Sequence, residues 1–428
     1  MLRTTIPVSY THLDVYKRQY QITAEAPGFK RGLRLGLTLS AGEHPIVDFR
    51  LEVGAASDSV TVSGEATLVT TSTASIGQSV TTHEVEDIPI NGRAPIMLMT
   101  MAMGVIGGGL SGPVRPFDLP GAGFTVGGIS GSNEFLLDGA PNTETSVGGA
   151  SAYSPMQDAV QEVAVNGFES DASMGHAGGG TANLITKSGT NSLHGSAYEF
   201  NQSSLLDANT FYNNKAGVAR PPYHYNQYGI TSGGPLWIPK VFNGKDRVFW
   251  FFGYEGLRDS DPANSPIEGG NLLATVPTAA ERQGDFSALL KLNTANSSYV
   301  IYNPYSGVTS GSQVARTPFP NNVIPASMLN PIATNYLQYF PPPNTAGQAN
   351  GFGNFAITSV DSDGYDNELG RLDFNLSDKN KLSFDARHSN RTQDKNLYFG
   401  NAAEGDYLYR INQGLSLDDV YSLSLIHI

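Results

Sequence analysis

The sequence predicts a mainly β protein, and three observations support this: its composition, several segments in which apolar and polar residues alternate, and the lack of a long apolar run. Its 428 residues include 48 glycines, 25 prolines and 20 each of tyrosine and phenylalanine, a balance typical of strands joined by turns. A membrane-spanning helix needs roughly 18 apolar residues, whereas a spanning strand needs only about 9–11 alternating ones. Strands are therefore the route by which this chain would cross a membrane.

Charge and motif content exclude several classes of function. A formal net charge of -13 argues against a nucleic-acid partner, which requires a basic surface. The chain has no cysteine, so it has neither disulfides nor thiolate metal ligands. It also lacks a G-x-S-x-G elbow, a P-loop and an H-E-x-x-H helix. Residues 361–364 (DSDG) begin like a calcium loop but lack its later ligands, so they predict a turn. We predict no catalytic residue, no cofactor and no metal site.

Both ends of the chain are expected to be non-native. Residues 1–19 show none of the three parts of a secretory signal, and residues 7–19 resemble a translated sequencing-adaptor read. Residues 422–428 (SLSLIHI) have the same character. We therefore expect the natural termini, including a signal peptide, to lie outside this sequence.

Residues 20–53 predict three short strands. Apolar and polar residues alternate over 20–26, 33–39 and 47–53, with turns between them. Three strands bury too little to be stable alone, so they are expected to be part of a domain. The opening YQITAEAPGF resembles the carboxypeptidase regulatory-like domain, a transthyretin-like β-sandwich with a carbohydrate-binding-like fold. We expect this segment to be a structural spacer rather than a sugar-binding module.

Residues 54–191 predict an α+β domain. Residues 59–63 (SVTVS) predict a strand, and residues 82–87 predict one acidic helical turn that ends before Pro89. The Asn-Gly turn in IPINGR precedes a predicted helix over residues 95–105, packed on a sheet.

The later part of this domain contains a second strand and helix. Residues 133–142 (NEFLLDGAPN) predict a strand ending in an Asp-Gly turn. Ser154 is expected to form a capping box with Gln157, which would start a helix over residues 155–162 that leads into a strand at 163–165.

The domain closes with a glycine-rich stretch and ANLITKSGTN at residues 182–191. Glycine lets backbone segments pass close together, and SGTN predicts a tight polar link. We expect Asn183 and Lys187 to be solvated turn positions. IPINGR, NEFLLDGAPN, the stretch from Pro155 to Val163 and this ending resemble the plug of Oar-like TonB-dependent receptors. The resemblance implies a structural plug signature made of Asn91, Gly92, Arg93, Asp138, Gly139, Asn183, Thr186, Lys187, Ser188 and Gly189.

Residues 192–421 predict the first strands of a transmembrane antiparallel β-barrel. Residues 193–201 (LHGSAYEFN) and 248–255 (VFWFFGYE) are candidate strands, and the second fits either an interfacial aromatic girdle or a soluble core. In the hairpin over residues 369–388, apolar side chains such as Leu372 alternate with polar ones such as Arg371 and Asp373. One face is therefore expected to meet lipid and the other a wet lumen. Five or six such strands cannot close, so we expect an open sheet beside the plug.

A long insert over residues 259–366 separates these strands. It is rich in proline, asparagine and glycine and too long for an ordinary connection, which predicts an extracellular loop. Its phrases VPT (276–278), GDFS (284–287) and PFPNNVIP (318–325) resemble the loop of Oar-like receptors.

The resemblance covers most of residues 20–421 and implies a transport function without covalent chemistry. It implies an outer-membrane receptor, not an enzyme, that takes up an unidentified ligand with energy from the inner-membrane TonB complex. Outer-membrane lipid would surround the barrel, and the plug and N-terminal domain would face the periplasm or the lumen. The alternative is a β-rich surface adhesin or carbohydrate-binding protein without transport activity. A carboxypeptidase fragment is disfavoured because no zinc-ligand set is visible.

Overall fold

The computed structural model shows a small N-terminal sheet, an inner domain and a six-stranded sheet. It describes residues 19–24, 26–38, 49–54, 59–63, 77–90, 92–107, 121, 123–144, 149–167, 178–209, 211–216, 220, 222–262, 273–294, 298–357, 360–377, 379–401 and 403–421. Among these residues, the structure has no helix that is both long and apolar enough to cross a membrane. Apart from Gln19, the two segments expected to be non-native lie outside the described residues.

The N-terminal sheet contains β1 (Gln19–Ala24), β2 (Arg31–Thr38) and β3 (Ser59–Ser63). β1 and β2 are antiparallel, and β3 lies parallel to β2. The third strand expected over residues 47–53 differs: residues 47 and 48 lie outside the described residues, and Val53 forms only an isolated bridge with Phe29. The Ser59–Ser63 strand takes that place in the sheet, next to β2.

The inner domain covers residues 77–191. In chain order its elements are β4 (Gly77–Val80), α1 (Thr82–Asp87), the 3-10 helix Pro95–Met101, β5 (Val105–Ile106), β6 (Thr125–Val126), β7 (Ile129–Ser130), β8 (Glu134–Leu137), β9 (Ala140–Pro141), the 3-10 helix Gln157–Ala159, β10 (Val160–Asn166) and β11 (Thr181–Thr186). The domain is built on a mixed five-stranded sheet of order β4-β10-β11-β8-β9. β10 is antiparallel to both β4 and β11, whereas β11 is parallel to β8. A small sheet of β5, β6 and β7 and the two 3-10 helices cover it.

Helix α1 confirms the predicted acidic turn. The Glu84 carboxylate accepts from the Thr81 backbone N–H at 2.7 Å and from the Thr81 hydroxyl at 2.9 Å, which ties the first turn together. Val85 is fully buried against the sheet. The strand and Asp-Gly turn predicted over residues 133–142 are also present, as β8, Asp138-Gly139 and β9.

Two helix predictions in the inner domain are wrong. Residues 95–105 form a 3-10 helix only as far as Met101, because the chain turns at Gly104 (φ 80) into β5. Residues 155–162 form one 3-10 turn and then continue as β10. The predicted capping box is absent, since the Ser154 hydroxyl has no hydrogen-bond partner and Gln157 Nε2 donates to the Val85 carbonyl at 2.7 Å. Pairing of β10 with two neighbours outweighs the local helix signal.

The core of the inner domain is apolar and separate from the six-stranded sheet. Its buried side chains come from the 3-10 helix, the small sheet and the five-stranded sheet, and they include Ile96, Met99, Phe124, Phe135, Leu137, Val163 and Leu184. The domain therefore has its own source of stability, which does not depend on the barrel strands.

The second half of the chain forms a six-stranded antiparallel sheet and the segments that connect its strands. In chain order the elements are β12 (His194–Ser203), α2 (Phe211–Ala216), β13 (His224–Pro235), β14 (Trp237–Ile238), β15 (Phe242–Asn243), β16 (Val248–Pro262), β17 (Leu273–Ala274), β18 (Val308–Ser310), β19 (Gln313–Ala315), α3 (Pro331–Tyr336), β20 (Phe355–Ala356), β21 (Val360–Ser377), β22 (Asn380–Lys395) and β23 (Asp406–Tyr421). The strand order of the six-stranded sheet is β12-β13-β16-β21-β22-β23. Within the described residues its two edge strands, β12 and β23, each pair with one neighbour, so the sheet is open as expected.

Side chains alternate between the two faces of this sheet. On β16, Phe251 and Glu255 are buried against the inner domain side, whereas Phe252 between them is 44% exposed. On β21, Leu369 is buried and Leu376, in the opposite phase, is 60% exposed. This period of two confirms the alternation predicted for the hairpin.

The insert between β16 and β21 is shorter than predicted, and the structure describes residues 273–294 and 298–357 of it. β16 continues to Pro262 and β21 begins at Val360, so the insert spans residues 263–359 rather than 259–366. The turn predicted at 361–364 is wrong, because these residues pair along β21 and Asp363 accepts from Arg391 of β22 at 2.9 Å.

One arginine organises much of the insert. The Arg282 guanidinium donates to four backbone carbonyls at 2.7–3.1 Å, those of Pro277, Leu337, Phe340 and Pro341. The insert also contains the 3-10 helices Glu281–Gln283, Ser287–Leu292, Pro304–Ser306, Pro320–Asn322, Ala326–Met328 and Leu337–Tyr339.

Candidate functional site: the interface between the inner domain and the six-stranded sheet

Arg371 of β21 binds the Asp-Gly turn of the inner domain. Its Nη1 lies 3.0 Å from Asp138 Oδ1 and donates to Thr186 Oγ1 at 2.8 Å. Thr186 in turn donates to Asp138, from its N–H at 2.9 Å and from its hydroxyl at 2.6 Å. Asp138 has a φ of 50°, a left-handed conformation that aspartate tolerates in turns. The turn thus presents its carboxylate to the barrel strand.

A second carboxylate completes this cluster. Arg371 Nε donates to Asp373 Oδ1 at 3.0 Å, and Ser188 Oγ of the inner domain donates to Asp373 Oδ2 at 2.5 Å. The side chains of Arg371, Asp138 and Asp373 are only 16%, 16% and 18% exposed. Because these charges are largely removed from water, each depends on its partners, and loss of one partner leaves a buried unpaired charge.

Glycines allow the chain to pass close to the barrel strands. A Cβ on Gly189 would clash with the carbonyl oxygens of Trp250 and Gly234, on β16 and β13. Gly139, with a φ of 86°, donates its N–H to Asn183 Oδ1 at 3.1 Å. The link that leaves the inner domain therefore lies directly on the backbone of the sheet.

Lys187 and Asn183 are not solvated turn positions, so that expectation is wrong. Lys187 Nζ lies 2.8 Å from Glu86 Oε1, and its side chain is only 12% exposed. Asn183 is half-buried in β11 and accepts the bond from Gly139. Both side chains hold segments of the inner domain together.

Arg93 forms a second contact with the sheet. It makes an ion pair with Asp158, and its guanidinium carbon lies 4.6 Å from the ring centroid of Tyr198 and 4.7 Å from that of Phe200, both on β12. A guanidinium at this distance from aromatic rings is attracted by their quadrupoles. Arg93 therefore connects Asp158 of the inner domain to the first barrel strand.

Glu255 of β16 is buried behind this contact. It is 0% exposed, and its Oε2 accepts from the Tyr198 hydroxyl at 2.7 Å and from Gln227 Nε2 at 2.9 Å. These bonds tie β12, β13 and β16 together across the inward face of the sheet.

The apolar part of the interface is small. Met156 and Ala159 of the inner domain are buried against Phe251 and Leu369 of the sheet. This cluster of four side chains contrasts with the larger core inside the inner domain. Polar and charged groups therefore carry much of the contact.

Tyr153 adds a buried hydrogen bond to the interface. Its hydroxyl donates to the Glu368 carbonyl at 3.2 Å, and nearby Asn367 Nδ2 donates to the Ser154 carbonyl at 3.0 Å. Burial raises the pKa of Tyr153 well above its usual range. The phenol therefore stays a neutral donor at physiological pH.

Most of the predicted signature residues that the structure describes thus make contacts within the protein. Asn91 lies outside the described residues, and Gly92 has a φ of 85° in the turn before Arg93. The structure brings five of the others into one cluster at the sheet: Asp138, Gly139, Asn183, Thr186 and Ser188. Sequence reasoning placed Arg371 and Asp373 on the lumen face but did not pair them with this cluster, since no local pattern links such distant segments. It did not single out Tyr198, Asp158 or Glu255. For Glu255 a signal was available, because this acidic residue lies on the inward face of a strand rich in aromatic residues.

This interface holds the inner domain and the six-stranded sheet together. In the part of the chain that the structure describes, no group of three or more His, Cys, Asp or Glu side chains could hold a metal ion. Its chemistry is that of paired charges and hydrogen bonds.

Residues 185–425 match the family described as the outer membrane beta barrel domain. The match covers more than half of the 428 residues, and the chain belongs to this family. The predicted outer-membrane location is confirmed, and the six-stranded sheet is part of such a barrel. No curated protein matches the chain in sequence.

Several solved structures are similar to the chain at low identity. The outer membrane transporter YddB from Escherichia coli is 12% identical, with 82% of this chain and 37% of that one covered and a TM-score of 0.47. The siderophore receptor PirA from Pseudomonas aeruginosa is 11% identical, with 80% and 37% covered and a TM-score of 0.39. The ferric-catecholate import receptor Fiu from E. coli K12 is 12% identical, with 80% and 44% covered and a TM-score of 0.31. The chain spans less than half of each of these proteins.

Proposed function

We propose that this chain is part of a TonB-dependent outer-membrane receptor of the Oar-like kind, and that the inner domain is its plug. The observation that supports this most is the Arg371 cluster, which attaches a domain with its own apolar core to the inward face of outer-membrane barrel strands. In this proposal the N-terminal sheet is the end of a regulatory-like domain on the periplasmic side, and an unidentified ligand passes where the plug moves.

The composition of the interface supports a plug that moves as a unit. Its ion pairs and hydrogen bonds can be replaced by bonds to water, whereas the buried apolar cluster that separation would expose consists, among the described residues, of Met156, Ala159, Phe251 and Leu369. The core of the inner domain would remain intact because it contains no residue of the sheet. A pull on the N-terminal side of the plug would therefore displace the plug from the six-stranded sheet before the core of the plug unfolds.

Single-cysteine labelling tests this proposal without knowledge of the ligand. These 428 residues contain no cysteine, so Ser188→Cys introduces the one thiol in this part of the receptor, at the interface; any cysteine in the rest of the full-length receptor is first replaced by serine. In cells grown in complex medium that express the full-length receptor, we expect a maleimide that crosses the outer membrane to label this thiol faster when TonB is present than when it is deleted.

Ser196→Cys provides the matched control. Ser196 lies on β12, and its hydroxyl forms a hydrogen bond within the six-stranded sheet, to the Thr231 hydroxyl at 2.8 Å. Its labelling should not depend on TonB. Equal labelling of Ser188→Cys in both strains would contradict an energised plug.

A surface adhesin that does not transport is the alternative, and the insert favours it. Residues 273–294 and 298–357 form an ordered unit held by Arg282, which provides a fixed surface on the side of the long loops. The same labelling experiment separates the two functions, because an adhesin has no need of TonB.

A further inference from the structure

The connection between β13 and β16 is long for the end of the sheet at which it lies. It spans residues 236–247 and contains β14 and β15, whereas at the same end β21 stops at Ser377 and β22 begins at Asn380. Asn191, in the link from the inner domain, accepts from the Asp246 N–H at 2.8 Å, so the inner domain joins the sheet at this end. The long insert leaves the sheet at the opposite end. Outer-membrane barrels have short turns on the periplasmic side, so an extended hairpin here is a special feature.

The hairpin of residues 236–247 carries a group of exposed apolar side chains. All residues from 237 to 243 are exposed. They include Trp237, Ile238, Val241 and Phe242, of which Trp237 is 65% and Val241 78% exposed. Exposed apolar side chains grouped in this way mark a surface that binds another apolar surface.

Backbone hydrogen bonds hold the hairpin in one conformation. At its base the Gly244 N–H donates to the Leu236 carbonyl at 2.8 Å, and at its tip the Val241 N–H donates to the Ile238 carbonyl at 3.0 Å. Lys240 has a φ of 62°, a left-handed conformation that costs free energy for a lysine. The side chains of the tip are therefore presented by a fixed backbone, which lowers the entropic cost of binding.

The hairpin is basic although the chain as a whole is acidic. Lys240, Lys245 and Arg247 are all exposed, in a chain with a formal net charge of -13. The single acidic residue of the hairpin, Asp246, accepts from Asn191 Nδ2 at 2.5 Å. Tryptophan and other apolar side chains flanked by cations are the composition that binds the headgroup region of an anionic membrane.

The hairpin also continues the lipid-facing surface of the sheet. Ile230 of β13 and Phe252 of β16 are exposed on the face opposite to the inner domain, and the outward face of a barrel strand meets lipid. β13 leads into the hairpin and β16 leaves it, so the hairpin lies where the acyl chains give way to headgroups. A lipid surface is therefore the partner that its position and its charge both favour.

We propose that the hairpin of residues 236–247 binds anionic phospholipid on the periplasmic side of the outer membrane. Its apolar side chains enter the headgroup region, and Lys240 and Lys245 pair with lipid phosphates. The inference goes beyond the proposed receptor function, from which it takes only the assignment of this end of the sheet to the periplasmic side. Because Asp246 bonds to Asn191, the lipid contact would also fix the point at which the inner-domain link meets the sheet.

Quenching by spin-labelled lipids tests the proposal. The full-length receptor, with any native cysteine replaced by serine, carries Val241→Cys labelled with the fluorophore NBD in phosphatidylcholine nanodiscs. Increasing fractions of doxyl-labelled phosphatidylglycerol or, in parallel, doxyl-labelled phosphatidylcholine are included. We expect phosphatidylglycerol to quench the label at a several-fold lower mole fraction than phosphatidylcholine. Tyr305→Cys, at a position 86% exposed on the insert, is the matched labelling control and should not distinguish the two lipids.

Substitutions in the hairpin locate the contact. A lysine close to an anionic membrane contributes about a fivefold preference, so Lys240→Gln and Lys245→Gln should each raise the half-quenching mole fraction of phosphatidylglycerol about fivefold. Trp237→Ser should reduce quenching by both lipids, because the ring contributes to insertion and not to the choice of headgroup. Lys291→Gln, at an exposed position of the insert, is the control and should change neither value.

The proposal is overturned if neither lipid quenches the label at Val241, as it would be if the hairpin faced water or a protein. It is also overturned if the two lipids quench alike, or if both lysine variants behave as the natural chain. Each of these outcomes leaves the TonB-dependent labelling of Ser188→Cys intact. Equal labelling of that thiol with and without TonB would contradict the receptor function and not the lipid contact.

Discussion

Arg371 Nη1 lies 3.0 Å from Asp138 Oδ1, across the interface between a barrel strand and a turn of the inner domain. Both side chains are 16% exposed, so the pair lies largely out of water. Around it, Thr186 and Ser188 satisfy the remaining oxygens of the two carboxylates. The attachment of the inner domain therefore depends on a small polar cluster whose members can be changed one at a time.

Removal of Arg371 should weaken the attachment strongly. Arg371→Met leaves Asp138 and Asp373 buried without their cation, and we expect a loss of about 3–5 kcal/mol. Guanidinium unfolding in detergent measures it, and Arg371→Met combined with Asp138→Asn should recover part of the loss. Arg258→Met is the matched control: Arg258 is 48% exposed in its pair with Asp366, so its loss should cost only about 0–1 kcal/mol. Equal losses in the two single variants would contradict the role given to Arg371.

Gly189→Ala should push the inner domain away from the sheet. The added Cβ would meet two backbone carbonyl oxygens, of Trp250 and Gly234, which cannot move without distorting the barrel. We expect a destabilisation of about 1–3 kcal/mol and faster proteolysis of the inner domain. Gly370→Ala is the control, because the nearest atom to its Cβ would be 4.0 Å away. A Gly189→Ala protein as resistant to protease as the control would show that the link does not pass where the structure has it.

The hydrogen bonds between Glu84 and Thr81, which cap the start of helix α1, should weaken in acid. The hydrogen bond from the Thr81 backbone holds the pKa of Glu84 below its usual value of 4.5. A depressed pKa means that the contribution is complete above pH 4.5 and is lost as the pH falls through the folded value. Hydrogen exchange of the Val85 amide, which bonds to the Thr81 carbonyl, should therefore be slower than in Glu84→Gln at pH 6, and the difference should shrink below pH 4.5. A difference that is constant with pH would rule out the carboxylate bond.

Arg282→Met should disorder the insert and leave the barrel strands intact. The guanidinium holds four carbonyls from two distant segments, and methionine cannot replace these bonds. Limited proteolysis should cut the variant within residues 273–357 several-fold faster. Arg316→Met is the control, because Arg316 is exposed on the same insert; the protease should cut this variant at the rate of the natural chain. No change in Arg282→Met would mean that other contacts order the insert.

The sequence predicted the elements whose signal is local. Alternation over residues 369–388 and the Asp-Gly turn after Leu137 are both present in the structure. The helix expected over residues 155–162 is not formed, because β10 pairs with two strands, β4 and β11. The sequence of β10 itself does not indicate these partners. The turn expected at 361–364 failed similarly, since β16 and β22 extend the ladder on either side.

The site was predictable only in part. The signature residues of the plug-like ending were identified, yet Arg371 and Asp373 lie far along the chain and their pairing with Asp138 and Ser188 appears only in three dimensions. Lys187 was expected to be exposed to solvent, as lysine usually is. Its ion pair with Glu86 instead holds its side chain against the inner domain.

Single-molecule pulling tests whether the inner domain is a plug that a polar interface holds to the six-stranded sheet. The full-length receptor in a lipid bilayer is pulled from a point before residue 77 while force is recorded against extension. We predict one early event that releases the inner domain, residues 77–191, before any barrel strand leaves the membrane, and a lower force for that event in Arg371→Met. Extraction of β12 and β13 together with the inner domain, at a force that Arg371→Met does not change, would contradict the account.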